Sequence, residues 1–176
     1  FPRQTICQTI GMTMYDAMAQ LTGETNPHRI NELIHLYKVR YSDKYMVANT
    51  HLYPQTRPML TRLKEKGART CIVSTKTRSR IQQTIDKEHL NALIDCVIGI
   101  EDVREAKPSP QGIQTIQSRF QLPAEKIIYI GDSLIDAQTA ANAHVDFAAV
   151  TTGTTSAADF TAWPHVQIMH DLSELL

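Results

Sequence analysis

The sequence has no excess of either charge: 18 lysines and arginines stand against 18 aspartates and glutamates in 176 residues. A neutral chain lacks the electrostatic footprint of a nucleic-acid binder or of a protein held on an anionic membrane surface. Long apolar runs are missing too. None approaches the roughly 18 residues that a membrane span requires, and Phe1-Pro2-Arg3-Gln4 lacks the basic-then-apolar layout of a secretory leader. Cysteine is scarce, with Cys7, Cys71 and Cys96 odd in number and far apart. Cys71 and Cys96 lie inside apolar runs, so buried thiols are expected rather than a disulfide or a metal site, and a reducing cytoplasmic setting fits. The seven histidines form no His-x-x-x-His pair, which removes support for a histidine metal centre. Repeats, low-complexity tracts and long linkers are also absent. What remains is an ordinary globular composition, 42% apolar and 20% charged, with length for one domain or one domain and a small appendage.

What is present falls into two textures. Residues 1–52 read as helical: Ile6, Ile10, Met14, Met18 and Leu21 recur at the helical period, and Gly23 offers a stop. A second helix is expected after Asn26-Pro27, with Ile30, Leu33, Ile34, Tyr37, Tyr41 and Tyr45 on one stripe. Residues 53–176 alternate. Helices are expected at 56–66, 78–88, 109–120 and 135–143. Strands are expected at 70–74, 94–98, 127–130 and 147–150, with a weak fifth at 166–169. This βαβα order argues for an α/β fold, a Rossmann-like parallel sheet with helices on both faces, preceded by a small helical unit.

Three stretches bear chemistry. The run Ile127-Ile-Tyr-Ile-Gly-Asp132-Ser-Leu-Ile-Asp136 is a buried strand ending in Gly-Asp at the start of a helix. It sets Asp132 and Asp136 at the carboxyl edge of the sheet, where open α/β proteins bind ligands. Two such carboxylates suit Mg²⁺, a hard cation that keeps several waters. Equally, Asp132 suits a helix cap and Asp136 the positive first turn of that helix. Val73-Ser74-Thr75-Lys76 ends another strand in two hydroxyls, suited either to a phosphate oxygen or to capping the next helix. Lys107-Pro108 holds a lysine in an extended turn, because the residue before proline is disfavoured in a helix. A hydroxyl, a lysine and a carboxylate pair, in that order at successive strand ends, amount to a phosphoryl-transfer edge.

These stretches, Val73-Ser74-Thr75-Lys76, Lys107-Pro108 and Gly131-Asp132-Ser133-x-x-Asp136, resemble motifs II, III and IV of the haloacid dehalogenase superfamily. The spacing is most similar to the phosphoglycolate phosphatase branch, and the helices around Ile10-Gly11 resemble its small α-helical cap. The resemblance implies a Mg²⁺-dependent phosphatase of small phosphorylated metabolites acting through an aspartyl-phosphate. A sugar-phosphate mutase or a pyrophosphatase is left open within the same family. It implies that Ser74 and Thr75 bind the phosphoryl group, that Lys76 assists with substrate, and that Lys107 steadies nucleophile and phosphate. Asp132 would ligate Mg²⁺, with Asp136 supporting the metal or the lysine.

One motif of the family has no counterpart. No Asp-x-Asp occurs in residues 1–176, and the first carboxylate, Asp16, lies in a helical pattern. The resemblance therefore implies that the nucleophile and its strand lie ahead of Phe1. The competing expectation is a truncated, non-catalytic homologue that keeps the metal and phosphate corner as a binding or oligomerising module. A central parallel strand normally pairs on both sides, so a homo-oligomer that fills the gap belongs to that expectation. Arg3, Arg29, His35, Lys38 and Arg40 are polar residues of the helical unit, read as substrate-selecting candidates or as solvated helix face. His144, Trp163 and the run 151–155 have no assigned role, although Thr151-Thr152-Gly153 follows the last clear strand and reads either as a loop near the site or, preferably, as a capped turn.

Overall fold

The computed structural model describes residues 1–175, apart from the side chain of Asp43. The chain divides into two compact units, Phe1–His51 and Leu52–Leu176. The first is all helical: α1 (Arg3–Cys7), α2 (Met14–Thr22), α3 (Pro27–Tyr37) and α4 (Asp43–Asn49), with a wide π-turn over Lys38–Ser42 joining the last two. The apolar periodicity from Ile6 to Leu21 is not one helix. Gly11 takes φ +94°, which interrupts the helix. Thr13 then starts a fresh one, its hydroxyl accepting from Asp16 N–H at 3.1 Å. Gly23, at φ +70°, ends α2 in the left-handed conformation that glycine adopts without penalty. Asn26 caps α3 by accepting from His28 N–H at 2.9 Å, with Pro27 in the first turn. The Tyr37, Tyr41 and Tyr45 rings stack at 5.6 and 5.7 Å.

The second unit opens with α5 (Thr56–Glu65) and continues through β1 (Cys71–Val73), α6 (Arg78–Lys87), β2 (Cys96–Ile98), α7 (Gln111–Phe120), β3 (Ile128–Gly131), α8 (Leu134–Ala143), β4 (Asp146–Val150), α9 (Ala157–Phe160) and β5 (Gln167–Met169). Every strand pair is parallel, as the alternation requires, and the weak fifth strand is present. The strands form two sheets, β1–β2 and β3–β4–β5. Among the described residues no ladder joins β1 to β3. A side chain reaches across: the Tyr129 hydroxyl of β3 lies 3.4 Å from the Val73 carbonyl at the end of β1.

The core explains why α8 lies so close to the sheet. Ala137, Ala140 and Ala149 are wholly or almost wholly buried, and Ile113, Phe147 and Phe160 fill the space around them. Small side chains on α8 let its backbone approach β4, while Thr139, fully buried, satisfies its hydroxyl on the Ile135 carbonyl at 2.6 Å. A second cluster joins Met59 and Leu60 of α5 to Ile81 and Ile85 of α6. Both clusters hold helices so that their N-termini follow the carboxyl ends of β1 and β3. No helix among the described residues is long and apolar enough to cross a membrane.

Candidate active site

The site is built from three turns at the carboxyl ends of β1, β2 and β3. After β1, Ser74 Oγ accepts from Lys76 N–H at 3.2 Å, and Thr77 occupies the N-cap position of α6. Ser74 is therefore not the cap of that helix. It closes a short turn ahead of it, which holds the hydroxyl at the strand tip. The start of α6 is secured from the neighbouring turn. Glu101 Oε1 accepts from Arg78 N–H at 2.8 Å, and Asp102 pairs with the Arg78 guanidinium at 2.9 Å while also accepting from Gly99 N–H. These two acids are spent on structure.

Lys107 follows the acidic turn, and the Lys107–Pro108 peptide is cis. The Pro108 carbonyl accepts from Asn142 Nδ2 of α8 at 2.8 Å. The lysine side chain runs inward with only 11% exposure, and its Nζ meets Asp136 Oδ1 at 2.7 Å. Tyr129 completes the cluster, its hydroxyl 3.1 Å from Asp136 Oδ1 and 3.4 Å from Lys107 Nζ. Burial pushes the Tyr129 phenol well above its usual range, and the adjacent Asp136 charge adds to this. The phenol thus stays protonated and serves as a fixed donor. The other oxygen of Asp136 accepts from Ser133 Oγ at 2.6 Å and from Ser133 N–H at 3.2 Å, a capping box at the start of α8. Gly131 makes this possible, since a Cβ there would fall within 2.9 Å of Asp136 Oδ2 and closer to its Cβ and Cγ.

Asp132 contrasts with Asp136 four residues on. It is half-buried at the tip of β3, and among the described residues no other side chain donates to it. Burial raises its pKa and the Asp136 charge raises it further, against weaker help from its own N–H and from Lys107. An anion held in this way, with oxygen atoms as its only donors, fits a hard divalent cation such as Mg²⁺. Among the described residues no group of three or more His, Cys, Asp or Glu gathers to hold a metal, so water and substrate oxygens would complete such a shell.

The sequence-based candidates divide accordingly. Ser74, Thr75 and Lys107 line one narrow crevice at the β1 end, together with Gly99 and Ser109. Lys107 and Asp136 are in direct contact, and Asp132 follows directly on the end of β3, four residues before Asp136. Lys76 is placed by its backbone, its carbonyl accepting from Ile100 N–H at 3.0 Å. Tyr129 went unremarked as a site residue in the sequence, where an aromatic in a buried strand reads as core. A larger cleft of about 230 Å³ lies at the far edge of β2, lined by Arg78, Gln82, Asn91 and Arg119, and it contains none of the candidates.

Residues 1–150 match the family of haloacid dehalogenase-like hydrolases. The chain is 30% identical to the phosphoglycolate phosphatase of Rhodobacter capsulatus, over 91% of its own length and 78% of that protein. It is 25% identical to the pyrophosphatase PpaX of Bacillus velezensis, over its full length and 79% of that protein. In three dimensions it matches the crystal structure of a haloacid dehalogenase-like hydrolase from Bacteroides fragilis with a TM-score of 0.96 at 39% identity, covering all of this chain and 83% of that one. The strand-tip hydroxyl, the buried lysine–carboxylate pair and the free aspartate are thus set on the fold of the haloacid dehalogenase-like hydrolases, the family to which this chain belongs.

Proposed function

We propose that the chain carries the cation-binding and phosphate-binding part of a Mg²⁺-dependent phosphohydrolase of small phosphorylated metabolites. The observation behind this reading is the pair of aspartates in unlike states. Asp136 has both oxygens engaged by Lys107, Tyr129 and Ser133, whereas among the described residues no side chain donates to Asp132. Asp132 is then the carboxylate offered to the cation, and Asp136 is the fixed counter-charge that orients Lys107. When bound, Mg²⁺ would offset charge on the phosphoryl oxygens. Lys107 presents its remaining protons to the phosphate or to the attacking carboxylate, and the Ser74 hydroxyl donates to a phosphoryl oxygen. Lys76 and Thr75 complete the substrate side of the turn.

Neither aspartate is placed as the nucleophile of an aspartyl-phosphate route, one being saturated and the other given to the cation. The reading assigns that role to a further strand lying between β1 and β3, which among the described residues are not paired to each other. Relatives bear the names of a phosphoglycolate phosphatase and a pyrophosphatase. Phosphoglycolate and inorganic pyrophosphate are accordingly the substrates to try first. Three free thiols suit a reducing cytoplasm.

Thermal unfolding of residues 1–176 with Mg²⁺ and inorganic phosphate tests the reading. A joint upward shift in Tm is expected, lost in Asp132→Asn and in Lys107→Ala. Hydrolysis of phosphoglycolate or pyrophosphate by residues 1–176 alone is expected to be nil. A Tm that ignores both ligands would overturn the assignment of the corner. Turnover abolished by Asp132→Ala would instead place the nucleophile within this chain.

A further inference from the structure

The segment after β4 has the sequence Thr151-Thr-Gly-Thr-Thr155, which by itself suggests a capped turn or a loop near the site. The fold holds it firmly at its start. Thr151 donates twice to the Met169 carbonyl at the end of β5, from its N–H at 2.9 Å and its hydroxyl at 3.2 Å. The Thr152 carbonyl accepts from the Tyr53 hydroxyl at 3.2 Å. Gly153 comes next, and it lies against Asp132. A Cβ at Gly153 would fall within 2.8 Å of both Cβ and Cγ of Asp132, and closer still to Oδ2. Its backbone does not call for glycine, because the left-handed glycines are Gly11, Gly23 and Gly67. What requires a missing side chain at this position is the approach to the carboxylate.

We propose that Gly153 is a positioning residue for Asp132. The pinned loop forms a wall on one side of the carboxylate and so fixes the direction in which its oxygens meet a divalent cation. The inference rests on the reading of Asp132 as a cation ligand. Metal-ligating carboxylates are usually oriented by hydrogen-bond donors behind them. Among the described residues Asp132 has its own N–H alone for that purpose, and the backbone wall supplies by contact what a donor would supply by attraction. Because the loop is anchored at Thr151 and Thr152, a Cβ added at Gly153 must displace the carboxylate or break an anchor.

Mn²⁺ binding followed by electron paramagnetic resonance tests this on residues 1–176, with circular dichroism to confirm folding. Gly153→Ala is expected to weaken Mn²⁺ binding by about tenfold, the lower range for loss of an orienting contact, and to change the spectrum of the bound ion. Tyr53→Phe removes one anchor while adding no atom, and it should give a smaller loss in the same direction. Thr154→Ala should match the unsubstituted chain, and Asp132→Asn should abolish binding. Unchanged affinity in Gly153→Ala, with binding lost in Asp132→Asn, would overturn the positioning role and leave the cation reading standing. Full binding by Asp132→Asn would overturn both.

Discussion

Asp132 and Asp136 are the same residue type four positions apart, and their surroundings give them opposite effects on stability. Removing the Lys107 ammonium strands the Asp136 carboxylate, 5% exposed, beside a phenol and a serine alone. Breaking one side of a buried pair costs about 3 kcal/mol or more. Lys107→Met is therefore expected to lower the urea-unfolding free energy by that amount at pH 7. Asp132→Asn is expected to leave that free energy unchanged or raise it in cation-free buffer. Burial raises the folded pKa of Asp132, so its ionised form opposes folding above that pKa, and the amide relieves the conflict. Both aspartates were visible in the sequence as candidates, since Gly-Asp after an apolar run marks a strand tip. Their division of labour was not, because it depends on Lys107, which is 29 residues from Asp136, and on Tyr129.

At the level of elements, β1 and β2 are aligned by Asp95. It accepts from Lys64 of α5 at 2.6 Å, from Arg69 at 3.2 Å and from Thr70 N–H at 2.9 Å. Burial works against its charge, yet these donors together hold its carboxyl at a pKa of about 2. A depressed folded pKa contributes stability that is complete above the unfolded value near 4 and is lost as pH falls through about 2. Lys64 and Arg69 are exposed enough for solvent to screen them, which leaves about 1 kcal/mol. Urea titrations between pH 5 and pH 2 should show that loss in the unsubstituted chain and a flatter profile in Asp95→Asn. Element placement was largely legible, since buried parallel strands read as apolar runs and the helices between them carry their own periodicity. The break at Gly11 was hidden because Ile6 and Ile10 keep helical spacing with Met14 across it. The short helix α9 escaped notice because Ala157–Phe160 is only four residues long, too short for a period to show. Sequence reasoning weighed Ser74 as the cap of α6, whereas Thr77 holds the N-cap position without a side-chain cap bond and the distant Glu101 accepts from the Arg78 N–H.

For the molecule as a whole, the division into two parallel sheets matters most. The alternation of strand and helix announced the parallel architecture, but a ladder between particular strands is a long-range property that local pattern does not encode. Among the described residues β1 and β3 each lack a partner on one side, and Ile128 of β3 is 48% exposed. Open strand edges flanked by apolar side chains recruit further strands. Residues 1–176 are therefore expected to associate with rising concentration in sedimentation velocity, and Ile128→Lys to reduce that association by placing a charge at the edge. The lysine turn is steadier than this open edge would suggest. Asp136 stands in the first turn of α8, and Asn142, near the other end of that helix, grips the Pro108 carbonyl beside Lys107. One rod thus carries the carboxylate and also tethers the turn that delivers its lysine. If α8 tilts or slides on the sheet, both charges travel with it, and the separation between them is insulated from the breathing of the domain.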